Sequence, residues 1–329
     1  MNKKISNILK VCGVAAVSAA AAVWTFCPPP AVASTETEIP EVGFSAVYNP
    51  PVPLSMTFCG QKVDMDITDY YERLDRELTS LTYTHGNTLL MLKRANRYFP
   101  VMAPILRKNG MPDDLLYLAC VESTLNPRAV SGAKAAGMWQ FMPSTAKEYG
   151  LEVSDEIDER FNIEKATAAA CRYFKKALSQ YGGDWMSVMA SYNAGMARIS
   201  SQLNRQGADN ALDLYLVDET MRYPFRIMAT KAIMEHPGAY GFLITADQLY
   251  QPRVVKRVDV SGPVDDWAEW ARKQGISYLE LRDENPWIRS TKLTNKNGKT
   301  YTVRVPLRES GRRSTSGRSV YNPSWISVE

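Results

Sequence analysis

A mainly α fold with a small α+β module at its C-terminal end follows from three features of this 329-residue sequence. Apolar residues recur at three- and four-residue spacing from Ile67 to Ile233. Glycine, asparagine and proline punctuate those stretches as helix stops. Past Tyr250 the pattern shifts towards alternation, at Val254, Val258 and Val260 and again over 300–305.

The elements follow in chain order. Lys3, Lys4 and Lys10 flank an apolar run from Val11 to Phe26, and Ala31-Val32-Ala33 precedes a polar segment. Residues 1–33 therefore read as a cleaved signal peptide, which places the chain outside the cytoplasm, in the periplasm or cell envelope. The alternative is a retained leader that holds the protein at a membrane, but the run falls short of the ~20 residues that a spanning helix needs. Of the 39 basic residues the leader holds three, so 36 face 35 acidic ones in the remainder. That balance lacks the basic footprint of nucleic-acid binding.

Residues 34–62 are rich in proline and poor in apolar periodicity, as in a linker or a surface strap. Ile67, Tyr70, Tyr71, Leu74 and Leu78, then Leu89, Leu90, Leu92 and Tyr98, predict two helices. Pro100 to Gly110 reads as a further short helix closed by glycine. Pro112-Asp113-Asp114 opens the next, with Leu115, Leu116, Leu118, Ala119 and Val121 along it and Glu122 about two turns in. Asn126-Pro127 stops it. Helices are also predicted after Pro143, over 163–181, over 186–198, and through Phe225 to Ile233.

Three motifs stand out in the helical region: Glu122-Ser-Thr-Leu-Asn-Pro127, Gly137-Met-Trp-Gln-Phe-Met-Pro143 and Ser191-Tyr-Asn-Ala-Gly195. They set a single carboxylate among aromatic, thioether and amide groups. An apolar pocket is the simplest way to keep a carboxyl proton near neutral pH, as glycoside cleavage requires. Only His85 and His236 are present, so a histidine triad or metal site has little to build on. Asp155, Glu156, Asp158 and Glu159 lack the spacing and central glycine of a calcium loop. Cys59, Cys120 and Cys171 are three and widely spaced. The last two lie in apolar helical patterns and read as core thiols.

In this order and spacing the motifs closely resemble the lytic transglycosylase domain of bacterial cell-wall enzymes, above all the membrane-bound type D branch, with goose-type lysozyme a distant relative. The resemblance implies a lysozyme-like helical catalytic domain over 63–250. It makes Glu122 the acid, and Ser131, Gln140, Met142 and Tyr192 substrate-binding residues. Glu219, in Glu219-Thr-Met-Arg-Tyr223, is a further groove residue, or equally a helix-start carboxylate favoured by the helix dipole. Ser131 reads almost as well as a turn serine. Trp139 reads better as a core anchor than as a sugar platform.

The reaction implied is cleavage of the β-1,4 bond from N-acetylmuramic acid to N-acetylglucosamine in peptidoglycan strands. The single carboxylate acts first as acid and then as base, and closes a 1,6-anhydro ring. No metal or organic cofactor is implied, and a monomer is expected. A lysozyme-like hydrolase and a non-catalytic peptidoglycan-binding protein are the rivals. A hydrolase would ordinarily pair two carboxylates, and the motifs fix only one.

Residues 251–308 form the small α+β module, with Trp267 and Trp270 on its helix. Gly275 to Trp287 and Val303-Arg-Val-Pro306 resemble the segment that follows the catalytic domain in the type D branch, which is LysM-like and glycan-binding. A structural brace is the reading slightly preferred. From 309 to 329 serine, glycine and arginine dominate, which predicts a disordered tail.

Overall fold

The computed structural model describes residues 48–307 and 317–326. The expected signal peptide at 1–33 and the start of the expected linker lie outside the described residues.

A tight hairpin opens the described chain, made of β1 (Met56–Phe58) and β2 (Gln61–Val63) in antiparallel register. Cys59 and Gly60 between them both take positive φ, 51° and 83°, as a two-residue type I′ turn requires. Phe58 is fully buried in the main core. The Cys59 amide donates to Asp114 Oδ2 at 2.6 Å, and Gln61 Oε1 accepts from the Trp185 amide at 2.7 Å. The strap expected at 34–62 is thus in part a structured hairpin. Two three-residue strands are too short to leave a periodic signal.

Helices α1 (Thr68–Tyr83) and α2 (His85–Lys108) follow. The break expected at Pro100 is absent, and α2 runs through Pro100 and Pro104. Each proline removes a helical hydrogen bond. Ala95, Phe99, Met102, Ala103 and Leu106 nevertheless form one continuous buried face across both, and tertiary packing overrides local propensity. Then come α3 (Leu115–Ser123), α4 (Pro143–Glu148), α5 (Ile163–Gln180) and α6 (Trp185–Ala194). After these lie α7 (Met196–Gln206) and α8 (Asp218–Glu235). The single helix expected over 186–198 is two, because Gly195 takes φ 88°, outside helical geometry. Helix α8 packs on α1, α3 and α6, which places it at the centre of the helical domain.

The C-terminal module has β3 (Val255–Val260), α9 (Trp267–Lys273), α10 (Tyr278–Glu284) and β4 (Tyr301–Pro306). Strands β3 and β4 pair antiparallel from Val255↔Pro306 to Val260↔Tyr301. Trp267, Leu281, Ile288 and Val303 fill its core, and Ala136, Ile157 and Phe161 of the helical domain join the same cluster. The Asp158 amide donates to Trp287 O at 2.9 Å and the Arg289 amide to Glu156 O at 2.8 Å. The module braces the helical domain. The acidic turn is spent internally, with Asp158 on Arg160, Glu159 on Lys165 and Glu156 on Thr294.

The disordered tail expected from 309 to 329 needs correction over 317–326. Trp325 is 1% exposed, its indole donates to Met234 O at 2.5 Å, and its ring lies 6.0 Å from Phe99. The Tyr321 ring packs 5.4 Å from Phe99, and Asn96 donates to Ser319 O and accepts from the Tyr321 amide. One buried tryptophan and an asparagine clamp outweigh a polar composition. Among the described residues no helix is long and apolar enough to cross a membrane.

Candidate functional site

Helix α3 carries the carboxylate. Its core face of Leu115, Leu116, Leu118, Ala119 and Cys120 is buried, and Thr124 ends it in the left-handed region at φ 52°. The Ser123 hydroxyl ties that end to Met138 O at 3.0 Å and Ala119 O at 3.1 Å. Glu122 therefore sits on a rigid element, half-buried, next to the Gly137–Pro143 segment.

That segment is shaped from below by Gly137 and Arg160. Gly137 has φ 80°, and a Cβ there would come within 1.9 Å of Arg160 O. No other residue fits. The buried Arg160 guanidinium donates to Lys134 O at 2.8 Å and Phe141 O at 3.0 Å while Asp158 neutralises it. Trp139 is fully buried with its indole on Thr167 Oγ1 at 3.0 Å, the expected core anchor.

Burial lifts the Glu122 carboxyl from its ordinary 4.5 to about 7. Desolvation is the main cause. The Tyr223 hydroxyl, hydrogen-bonded to Glu122 Oε1, pulls the other way, Glu219 adds a further rise, and Arg226 opposes it. Desolvation disfavours the charged form more strongly than one donor and one distant guanidinium favour it. Tyr223 is itself buried and its phenol is held well above its ordinary value, so it remains a donor.

The predicted residues divide into two groups. Tyr192 and Glu219 are close enough to interact electrostatically with Glu122. The Tyr192 hydroxyl is spent on Trp139 O at 2.7 Å, and its ring stacks on Phe174 at 5.4 Å and meets Tyr173 at 5.0 Å. The phenol hydrogen-bonded to the Glu122 carboxyl is Tyr223, not Tyr192. Glu219 lies exposed in the first turn of α8, the position of a helix-start carboxylate.

Among the described residues, Ser131, Gln140 and Met142 form no hydrogen bond with Glu122. Ser131 is exposed, and its hydroxyl accepts from the Ala135 amide at 3.0 Å within a turn. Gln140, at φ 47°, donates to Gly137 O at 2.8 Å and Ala129 O at 3.3 Å. Met142 is 41% exposed, an apolar side chain that the segment offers to solvent. Tyr223 was visible in the sequence as the last residue of Glu219-Thr-Met-Arg-Tyr223. The four-residue spacing sets it one turn from Glu219 on the same face.

Glu77, 1% exposed on α1, receives Arg222 Nε at 2.6 Å and Arg226 Nε at 3.2 Å, both from α8. This pair of bonds fixes the helix that presents Tyr223. No sequence pattern marked it.

Residues 100–214 match the transglycosylase SLT domain, and residues 256–309 match the soluble lytic transglycosylase C-terminal LysM-like domain. The membrane-bound lytic murein transglycosylase D of Escherichia coli (strain K12) is 32% identical over 244 residues, 72% of this chain and 52% of that protein. The chain spans about half the length of that curated relative. The peptidoglycan transglycosylase gp16 of Escherichia phage T7 is 37% identical over 95 residues, 28% of this chain and 7% of its own. Among solved structures, the 70 kDa soluble lytic transglycosylase from Escherichia coli aligns at 21% identity and TM-score 0.37, covering 42% of this chain and 24% of that one. Residues 100–214 of this chain belong to the transglycosylase SLT domain family, and a LysM-like domain of the soluble lytic transglycosylase type follows them.

Proposed function

We propose that the chain is a peptidoglycan lytic transglycosylase that uses Glu122 as its single acid and base. The observation that carries this is the Glu122 carboxyl, desolvated to a value of about 7 and bonded to the Tyr223 hydroxyl. A group half protonated near neutrality can give a proton and take one back without a change of environment.

Protonated Glu122 donates to the glycosidic oxygen as the bond from C1 of N-acetylmuramic acid breaks. The leaving N-acetylglucosamine carries that proton on its 4-hydroxyl. The neighbouring acetamido group stabilises the positive C1. Glu122, now a carboxylate, takes the proton of the same sugar's 6-hydroxyl, and that oxygen closes onto C1 to give the 1,6-anhydro end. No water is consumed, and the glutamate returns to its protonated state. Tyr223 keeps the carboxylate stage from being too costly.

In this reading Ser131, Gln140, Met142, Tyr192 and Glu219 bind the strand. Met142 supplies an adaptable apolar contact, and Gln140, whose amide nitrogen is spent on Gly137 O and Ala129 O, an acceptor oxygen. The LysM-like domain supports a glycan-binding role beside its bracing one. The protein works as a monomer on the cell wall after export, with residues 1–33 as the signal. Mass spectrometry of purified peptidoglycan after digestion tests the proposal. Anhydro ends are expected, whereas reducing ends would indicate hydrolysis and intact strands a binding protein.

A further inference from the structure

A cavity of about 280 Å³ lies where the helical domain meets the LysM-like domain, and Glu122, Gln140 and Tyr192 are not in its wall. Its size is near the lower end of pockets that enclose small ligands, ~300–1,000 Å³. Five guanidinium groups line it, from Arg94 and Arg97 on α2, Arg128 after α3, and Arg253 and Arg304 on the C-terminal side. Three carboxylates line it as well, those of Glu164, Asp283 and Glu284.

The pairing leaves an excess of two positive charges. Asp283 is taken by Arg128, Glu284 by Arg253 and Arg304, and Glu164 by Arg304 and by Arg257 outside the cavity. Arg94 and Arg97 instead donate to backbone carbonyls, Thr124 O at 2.9 Å and Gln251 O at 3.0 Å. Neither has a carboxylate partner among the described residues. A guanidinium fork suits a carboxylate in two parallel hydrogen bonds, and several of its donors remain after one bond to a carbonyl.

Trp287, which lines the cavity, is 3% exposed, and its indole N–H has no partner among the described residues. Trp287 thus offers the cavity its ring rather than its indole N–H, which lies beneath the wall. Phe161, Ile163 and Trp287 supply the apolar part of the wall.

We propose that this junction cavity is a second binding site, one that takes a short peptide carrying two free carboxylates, the chemistry of the stem peptides on peptidoglycan. The assignment of the peptide's origin rests on the cleavage proposed above. The site lets the domain junction hold the peptide side of a strand while Glu122 works on the glycan side. Both domains contribute guanidinium groups, so the site exists only where the two are docked.

Calorimetry on the full chain tests this, with a synthetic tripeptide that has two free carboxylates, the same peptide amidated at both, and inorganic phosphate as probes. The acidic peptide should bind at least about tenfold more tightly than the amidated one and than phosphate. Arg94→Gln and Arg97→Gln should each weaken it by a similar factor while thermal melting confirms the fold. Two variants keep the test informative if one fails to fold. Equal binding of both peptides, equal binding of phosphate, or no loss in either folded variant would overturn the assignment. Digestion of peptidoglycan without peptide binding would remove this site and leave the cleavage reading intact. Peptide binding without digestion would remove the cleavage reading and leave the cavity as a carboxylate site.

Discussion

The Tyr223 hydroxyl donates a hydrogen bond to Glu122 Oε1 across the contact between α8 and α3. Two residues 101 positions apart in sequence thus meet in one hydrogen bond. The bond lowers a carboxyl that burial raises, and the balance sets it near neutrality.

Replacement of Tyr223 by phenylalanine removes the donor and keeps the ring. The Glu122 carboxyl should then rise further above about 7, because the lowering influence is gone while desolvation stays. The pH profile of cleavage should move to higher pH, and the rate at pH 7 should fall by roughly tenfold or more. An unmoved profile would remove Tyr223 from the acid–base chemistry.

Glu122→Gln should abolish turnover and stabilise the fold at high pH. The folded carboxyl titrates at about 7 and the unfolded one near 4.5, so the folded state holds more protons between those values. Stability contributed by this group is present below pH 4.5 and is lost as pH rises through about 7. At ~1.36 kcal/mol per pH unit that interval gives an upper figure of about 3 kcal/mol, reduced by the water that reaches a half-buried group. Urea unfolding at pH 5 and pH 8 should show the wild type closing a gap to the variant at pH 5.

The helical domain was legible because its apolar faces are long. Helices α1, α5 and α8 repeat their buried residues over three or more turns, which a 3.6-residue period exposes directly. The short hairpin and the docked Trp325 carry no period, and their stability comes from partners far along the chain. Helix α2 misled because the local rule for proline is sound and the packing across it is stronger. At the site, Glu122 and Tyr192 stood in motifs. The Glu77 clamp and the hydrogen bond from Tyr223 to the acid depend on tertiary approach, which a single sequence does not encode in spacing.

Glu77→Ala should unfold α8 from α1 more readily than it harms any single contact of the site. A buried carboxylate between Arg222 and Arg226 is lost, and both guanidinium groups are left without it. A fully buried pair costs ~3–5 kcal/mol to break, and the arginines here are 27% and 32% exposed, so about 2–3 kcal/mol is expected from chemical unfolding. A loss below ~0.5 kcal/mol would deny the clamp its role.

Gly137→Ala should be among the most damaging small substitutions. It sets a methyl group against Arg160 O at a backbone angle that suits only glycine. A loss of at least ~2 kcal/mol is expected, read as a fall in melting temperature with loss of cleavage.

Trp325→Ala tests the docked C-terminal segment. Loss of a fully buried indole costs ~3–5 kcal/mol, and the Met234 carbonyl loses its donor. Wild-type stability in that variant would return 317–326 to the status of a loose tail.

The most direct measurement is the titration of the Glu122 side chain itself, by carboxyl carbon NMR of the full chain with Glu122→Gln to assign the signal. A midpoint near 7 that moves upward in Tyr223→Phe is the predicted result. A midpoint at or below 4.5 would mean a solvated carboxylate with no proton to deliver, and would contradict the assignment of Glu122 as the acid.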